Sequence, residues 1–111
     1  MPQGKFNRAL LDAIEAGLSS LGDSPREAIF YHLETSFRLK KENIPQNLSE
    51  FQQALEGIFG PGAPYLEKII IRRLYERLGL DFEEPGHVDF VAEVNDAKRR
   101  VTREEEVKQY G

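Results

Sequence analysis

The chain contains no cysteine and no tryptophan, one methionine and two histidines. Without cysteine there are no disulfides, no thiolate nucleophile and no Cys-ligated zinc, and the redox compartment is immaterial to folding. With His32 and His87 alone, the residue type most used for general-base work and metal ligation is scarce. No stretch approaches the roughly 20 consecutive apolar residues that a membrane span requires, and the start Met1-Pro2-Gln3-Gly4-Lys5 lacks the apolar region of a signal peptide. These absences predict a soluble, cytoplasmic chain with no membrane partner. A basic excess is missing too: 15 Lys and Arg stand against 19 Asp and Glu, a net charge of -4. That sign opposes the field that gathers nucleic acid or an anionic membrane surface.

What is present is helical periodicity. At 111 residues and 40% hydrophobic content, the chain is long enough to bury roughly two thirds of its unfolded surface as one domain. Phe6, Leu10, Ala13, Ile14, Leu18 and Leu21 recur every three or four residues and predict a first helix from Phe6 to Leu21, closed by Gly22. Ser24-Pro25-Arg26-Glu27 has the form of a capping box, opening a second helix that runs to Phe37 with Ala28, Ile29, Leu33 and Phe37 on its apolar face. The pattern breaks between Arg38 and Gln46, where Ile44-Pro45 disfavours helix. Asn47 is placed to cap a third helix whose buried side is Leu48, Phe51, Leu55, Ile58 and Phe59. After Gly60-Pro61-Gly62 a fourth helix, from Ala63 to Leu78, is the most apolar. Leu66, Ile69, Ile70, Leu74 and Leu78 make its stripe, Ile71 and Tyr75 widen it, and it reads as the central helix. Leu80 to His87 is turn-rich, with room for a short strand. A last helix starts near Val88 or Asp89 and carries Phe90, Val91, Val94, Ala97 and Val101. The expectation is an all-α fold of about five helices: two helical hairpins plus a long C-terminal helix. Residues 1–101 form the domain and 102–111 a charged polar tail, able to extend the helix or to dock on a partner.

Helix, glycine and proline-started helix recur near Gly22 and Gly60, but two units fall short of the three or more that a stacked repeat needs. Leu21-Gly22-Asp23-Ser24-Pro25-Arg26-Glu27-Ala28-Ile29-Phe30-Tyr31-His32-Leu33-Glu34, Ile44-Pro45-Gln46-Asn47, Phe59-Gly60-Pro61-Gly62-Ala63 and Leu74-Tyr75-Glu76-Arg77-Leu78-Gly79-Leu80-Asp81-Phe82 resemble a small helical archaeal family, the Nitrosopumilus output domain, fifth type. The resemblance spans about Leu10 to Val94. It implies a stand-alone archaeal module acting as an output or interaction element in signalling, with no established reaction, cofactor or catalytic residue.

Candidate chemistry is sparse. His32 has no carboxylate three or four residues before it and Ser36 four after it, so no metal-binding helix motif exists there. His87 reads as a loop residue close to a helix start. Glu83-Glu84 and Glu104-Glu105-Glu106 are sequence neighbours that diverge around a helix rather than converge. Phe59-Gly60-Pro61-Gly62-Ala63 precedes a helix N-terminus, where amides attract anions, but Pro61 and Pro64 remove two amides and no Gly-Lys-Ser/Thr follows. No catalytic residue, metal or cofactor is expected. The favoured class is a non-catalytic regulatory or protein-interaction module with a protein partner, self or other. Phe30, Tyr31, Ile71 and Tyr75 exceed one apolar stripe and are its interface candidates. The alternative is a nucleic-acid-associated regulator using Lys68, Arg72, Arg73 and Arg77 on the fourth helix and Lys98, Arg99, Arg100 and Arg103 on the last. Glu67, Glu76 and Glu104 to Glu106 are spaced to neutralise many of these cations.

Overall fold

The computed structural model describes residues 3–82 and 89–110, with side chains for 4–82 and 89–102. The architecture is all-α. Five α-helices follow one another as α1 (Gln3–Ser19), α2 (Asp23–Ser36), α3 (Leu48–Phe59), α4 (Ala63–Leu78) and α5 (Phe90–Tyr110), with short 3-10 helices at Lys41–Gln46 and Gly60–Gly62. The α5 backbone thus runs on through the polar tail. The proposed strand after Leu80 is not seen in Leu80, Asp81 or Phe82, and its remaining residues lie outside those described.

The termini of the helices follow backbone chemistry more than side-chain caps. α2 starts two residues earlier than a capping box at Ser24 requires: Gly22 is the N-cap at φ 107°, no side chain bonds the free amides, and the Arg26 N–H donates to the Gly22 carbonyl at 3.1 Å. Pro25 stays in the first turn, where a missing N–H costs nothing. Asn47 is the N-cap residue of α3, its carbonyl accepting from the Phe51 N–H at 3.0 Å, but its side chain does not bond the free amides of the helix. Its Nδ2 donates backwards to the Asn43 carbonyl at 2.8 Å, satisfying the preceding 3-10 helix. Gly79 does close α4 in the left-handed conformation, with the Leu80 N–H reaching back to the Tyr75 carbonyl at 2.9 Å.

The end of α2 also wraps back on itself, in a turn one residue wider and without a glycine. The Leu39 N–H donates to the Leu33 carbonyl at 3.0 Å across Arg38, which adopts φ 55°, the one positive φ outside glycine among the described residues. A side chain there crowds the backbone, at a cost of about 1–2 kcal/mol. Arg38→Gly is expected to stabilise the fold by about 1 kcal/mol after the extra unfolded-state entropy of glycine is deducted. A rise in thermal midpoint checks this; a fall would mean that the Arg38 side chain holds the turn.

One continuous core joins all five helices and the first 3-10 helix, through Phe6, Leu10 and Ile14 of α1, Leu33 of α2, Ile44 of the first 3-10 helix, Phe51 and Leu55 of α3, Ile70 and Leu74 of α4, and Phe90 and Val94 of α5. α1 and α4 make the most extensive contact, and α4 also meets α3 and α5, which makes it the central helix. Gly17 is buried at the α1–α4 crossing: a Cβ built on it would lie 2.6 Å from Cγ1 of Ile70. Phe51 and Phe90 tilt against each other at 5.6 Å between ring centres, tying α3 to the start of α5. Leu21 and Phe37, expected on apolar stripes, are each 43% exposed because both sit past the last turn of their helix. The α4 stripe is rotated from the expected one. Ile71 and Tyr75 are buried with Leu66, Ile70 and Leu74, while Ile69 and Leu78 are half-buried.

Candidate functional site

The sequence-predicted interface residues divide in two. Ile71 is 0% and Tyr75 2% exposed, so these two candidates belong to the core. Their helix has neighbours on three sides, and that second apolar flank is spent on α3 and α5. Phe30 is half-buried against the core, with Lys41 Nζ 5.5 Å above its ring; Lys41 in turn pairs with Glu15 of α1. Tyr31 alone of the four stands out in solvent, 71% exposed. It lies on the outer face of α2, four residues after Glu27 and three before Glu34, both exposed. α2 buries only Ile29 and Leu33. His32 is accounted for locally: Nδ1 shares a 3.1 Å hydrogen bond with Ser36 Oγ, and the ring meets Phe37 edge-on at 5.6 Å.

The outer face of α4 carries a second exposed aromatic, Tyr65, at 78%. Tyr65, Lys68, Ile69 and Arg72 line an open depression of about 290 Å³. These positions, spaced by three and four, form one stripe along the helix. Of the other predicted cations of α4, Arg73 pairs with Glu76 at 3.6 Å and Arg77 reaches Asp12 of α1 at 3.5 Å; Arg72 is engaged as well. On α5, Lys98 lies 6.0 Å over the Phe6 ring and Arg99 pairs with Asp96 at 3.3 Å. Arg100 stacks 5.7 Å from the Tyr75 ring and donates to the Asp81 carbonyl at 3.3 Å. Lys98, Arg99 and Arg100, the described cations of α5, therefore address different neighbours. The Arg103 side chain, Glu83, Glu84, His87 and the side chains of Glu104 to Glu106 lie outside those described.

Two titratable groups are strongly perturbed. Tyr75 donates from its hydroxyl to Glu93 at 3.1 Å and Asp96 at 3.4 Å, at the back of a polar cleft of about 330 Å³ completed by Asp81, Phe82 and Arg100. Burial, and then the hydrogen bond and charge of Glu93, push the phenol up to about 12. It holds its proton at any physiological pH and is no general base there. Glu67, which the sequence reading set among the solvated ion pairs of α4, is only 2% exposed. Its Oε1 accepts from Gln52 Nε2 at 3.3 Å, and Oε2 is buried with no partner. Burial, reinforced by Glu56 and Asp89, raises its pKa to about 7. The signal for that burial was present: Glu67 falls on the i, i+3, i+4, i+7 series with Ile70, Ile71 and Leu74. Asp89 is itself fixed as the cap of α5, accepting from the Ala92 N–H at 3.2 Å.

At the Gly60–Gly62 turn, the Ala63 N–H donates to the Gly60 carbonyl and Pro64 has none to offer. The turn is a structural corner. Among the described residues no group of three His, Cys, Asp or Glu is placed to hold a metal ion, and no helix is long and apolar enough to cross a membrane. Comparison with family models, with curated proteins and with solved structures finds no match.

Proposed function

We propose that this chain is a non-catalytic regulatory or protein-interaction module, a cytoplasmic signalling output element of the archaeal kind that its sequence resembles. The observation that carries the reading is α2, a helix anchored by two buried side chains that holds Tyr31 out in solvent. An exposed tyrosine supplies a large, rigid contact area to a partner at low entropic cost. The two strongly shifted groups fit the same reading, since Glu67 is sealed in the core and Tyr75 retains its proton. A photo-crosslinking residue at position 31, compared with one at the exposed Gln53 of α3, tests it in cells. A discrete protein adduct from position 31 only is expected. Equal, diffuse adducts from both positions would overturn the reading.

The depression lined by Tyr65, Lys68, Ile69 and Arg72 favours a second reading, an aromatic base stacked on Tyr65 with its phosphate near the two cations. For single-stranded oligonucleotide binding, the logarithm of the affinity would fall linearly with log salt, and the joint substitution Lys68→Ala and Arg72→Ala would reduce the slope by about 1–2.

A further inference from the structure

Glu67 is the only buried polar or charged residue among those described, and it sits where three helices meet. In the second turn of α4, its Oε1 accepts from Gln52 of α3 at 3.3 Å while Oε2 bonds nothing. The charged groups that face it from the neighbouring elements have its own sign: Glu56 on α3 and Asp89 at the cap of α5. The start of α5 offers Oε2 no hydrogen bond, and the cap there is filled by Asp89, which accepts from the Ala92 N–H. We propose that Glu67 is a proton-operated latch on α5: while its carboxyl is neutral the first turns of α5 stay docked on α3 and α4, and when it ionises they draw aside and let water reach the carboxylate.

The packing selects α5 as the part that moves. α1 and α4 share the most extensive contact in the fold, and α3 is joined to α4 through the three-residue corner at Gly60–Gly62. α5 packs chiefly on α4 and α3, by the single stripe Phe90, Val94, Ala97 and Val101. Its first buried residue is at the latch, since Phe90 follows Asp89 and rests on Phe51, the neighbour of Gln52 in α3. Later turns are pinned separately, by the Tyr75 hydroxyl to Asp96 and by Arg100 to the Asp81 carbonyl. A buried carboxylate without a partner is the costly form of this side chain. Moving the first turns of α5 removes the Asp89 charge and admits water in one step, without parting α1 from α4.

The direction follows from the burial. Glu67 titrates at about 7 in the closed joint, against 4.5 for the free side chain. Below 4.5 it is neutral whether the joint is open or closed, and the latch holds. Between 4.5 and 7 the open form loses its proton first and gains on the closed one; above 7 the full bias towards opening remains. Opening uncovers Phe90 and Val94 together with Phe51 of α3, so apolar surface for a partner becomes accessible as pH rises through neutrality.

Amide hydrogen exchange of the intact chain, followed by residue and divided by the intrinsic rate at each pH, tests this. Leu10 and Ile14 of α1 report the opening of the whole fold; Val94 and Asn95 report the first turns of α5. At pH 7.5 the opening constant at Val94 and Asn95 should exceed that at Leu10 and Ile14 by about tenfold or more. Between pH 5 and 7.5 it should rise about fiftyfold in the native protein, less in Glu56→Gln, and stay nearly flat in Glu67→Gln. Equal opening at α5 and α1 would overturn the inference, because α5 would then part only when the whole fold does. So would a rise at α5 that survives Glu67→Gln, or an α5 opening constant that does not change with pH in the native protein.

Discussion

Gly17→Leu is expected to destabilise the protein by about 3 kcal/mol or more, a large fraction of the roughly 5–15 kcal/mol that holds a domain this size. The cause is local. Gly17 faces Ile70 where α1 crosses α4, and a Cβ there already lies 2.6 Å from Cγ1 and 3.5 Å from Cα of Ile70. Ile70 is fully buried and β-branched, so its side chain is stiff about χ1 and enclosed by the core. Relief has to come from separating the two helices, which loosens Ile14, Leu18 and Leu74 together. Gly17→Ala is the milder form: its better helix propensity returns up to about 1 kcal/mol, but overpacking costs about 1–3 kcal/mol. A urea-denaturation cycle with Ile70→Ala separates clash from propensity. The double variant Gly17→Ala with Ile70→Ala should lose less than the two single losses added together. Strict additivity would mean that the helices already have slack at this crossing.

That crossing shows where the sequence is legible and where it is not. Helix existence was readable from apolar spacing, and some corners from glycine and proline: Gly79 closes α4 and the Gly60–Gly62 turn divides α3 from α4. The Ala13-Gly17 pair, four apart on the α1 stripe and both buried, was also a signal, because small residues at that spacing let a second helix approach closely. Arg38 was not readable. Nothing in its side chain announces a left-handed backbone; the wrapped turn is held by the Leu39 N–H bond and by Leu39 itself, which is 5% exposed.

The candidate site was half readable for a related reason. Tyr31 and Tyr75 both sit at the margin of an apolar stripe, and a single helix cannot say how many neighbours it has. α4 meets α1, α3 and α5, so Tyr75 is covered; α2 packs chiefly on α1, so Tyr31 is not. The cations behave alike. Sequence clusters Lys98, Arg99 and Arg100, but successive residues on a helix point about 100° apart, and they end on Phe6, Asp96 and Tyr75 respectively.

Glu67→Gln is expected to leave stability nearly unchanged at pH 4 to 5 and to raise it by about 3 kcal/mol at pH 8. Glu67 sits in the core with Oε2 unpartnered, and its pKa is raised from 4.5 to about 7, chiefly by burial. The folded state therefore holds the proton more tightly than the unfolded state. Below pH 4.5 both states are protonated and the contribution of the neutral acid is complete. As pH rises from 4.5 to about 7 the unfolded chain gives up its proton first, and folding loses free energy throughout that window. Above 7 both are ionised, and the full cost of a buried carboxylate beside Glu56 and Asp89 remains. Glutamine preserves the shape and the contact with Gln52 without the charge. Unfolding free energies measured by urea between pH 4 and 9 should fall across the window for the native protein and stay flatter for the variant. A native curve as flat as the variant's would show that Glu67 is ionised and compensated, and that its burial carries no such cost. The side chain occupies the face of α4 opposite to the Tyr65 depression, between Gln52 of α3 and the α5 cap at Asp89. Raising the pH thus weakens the joint of three helices from within.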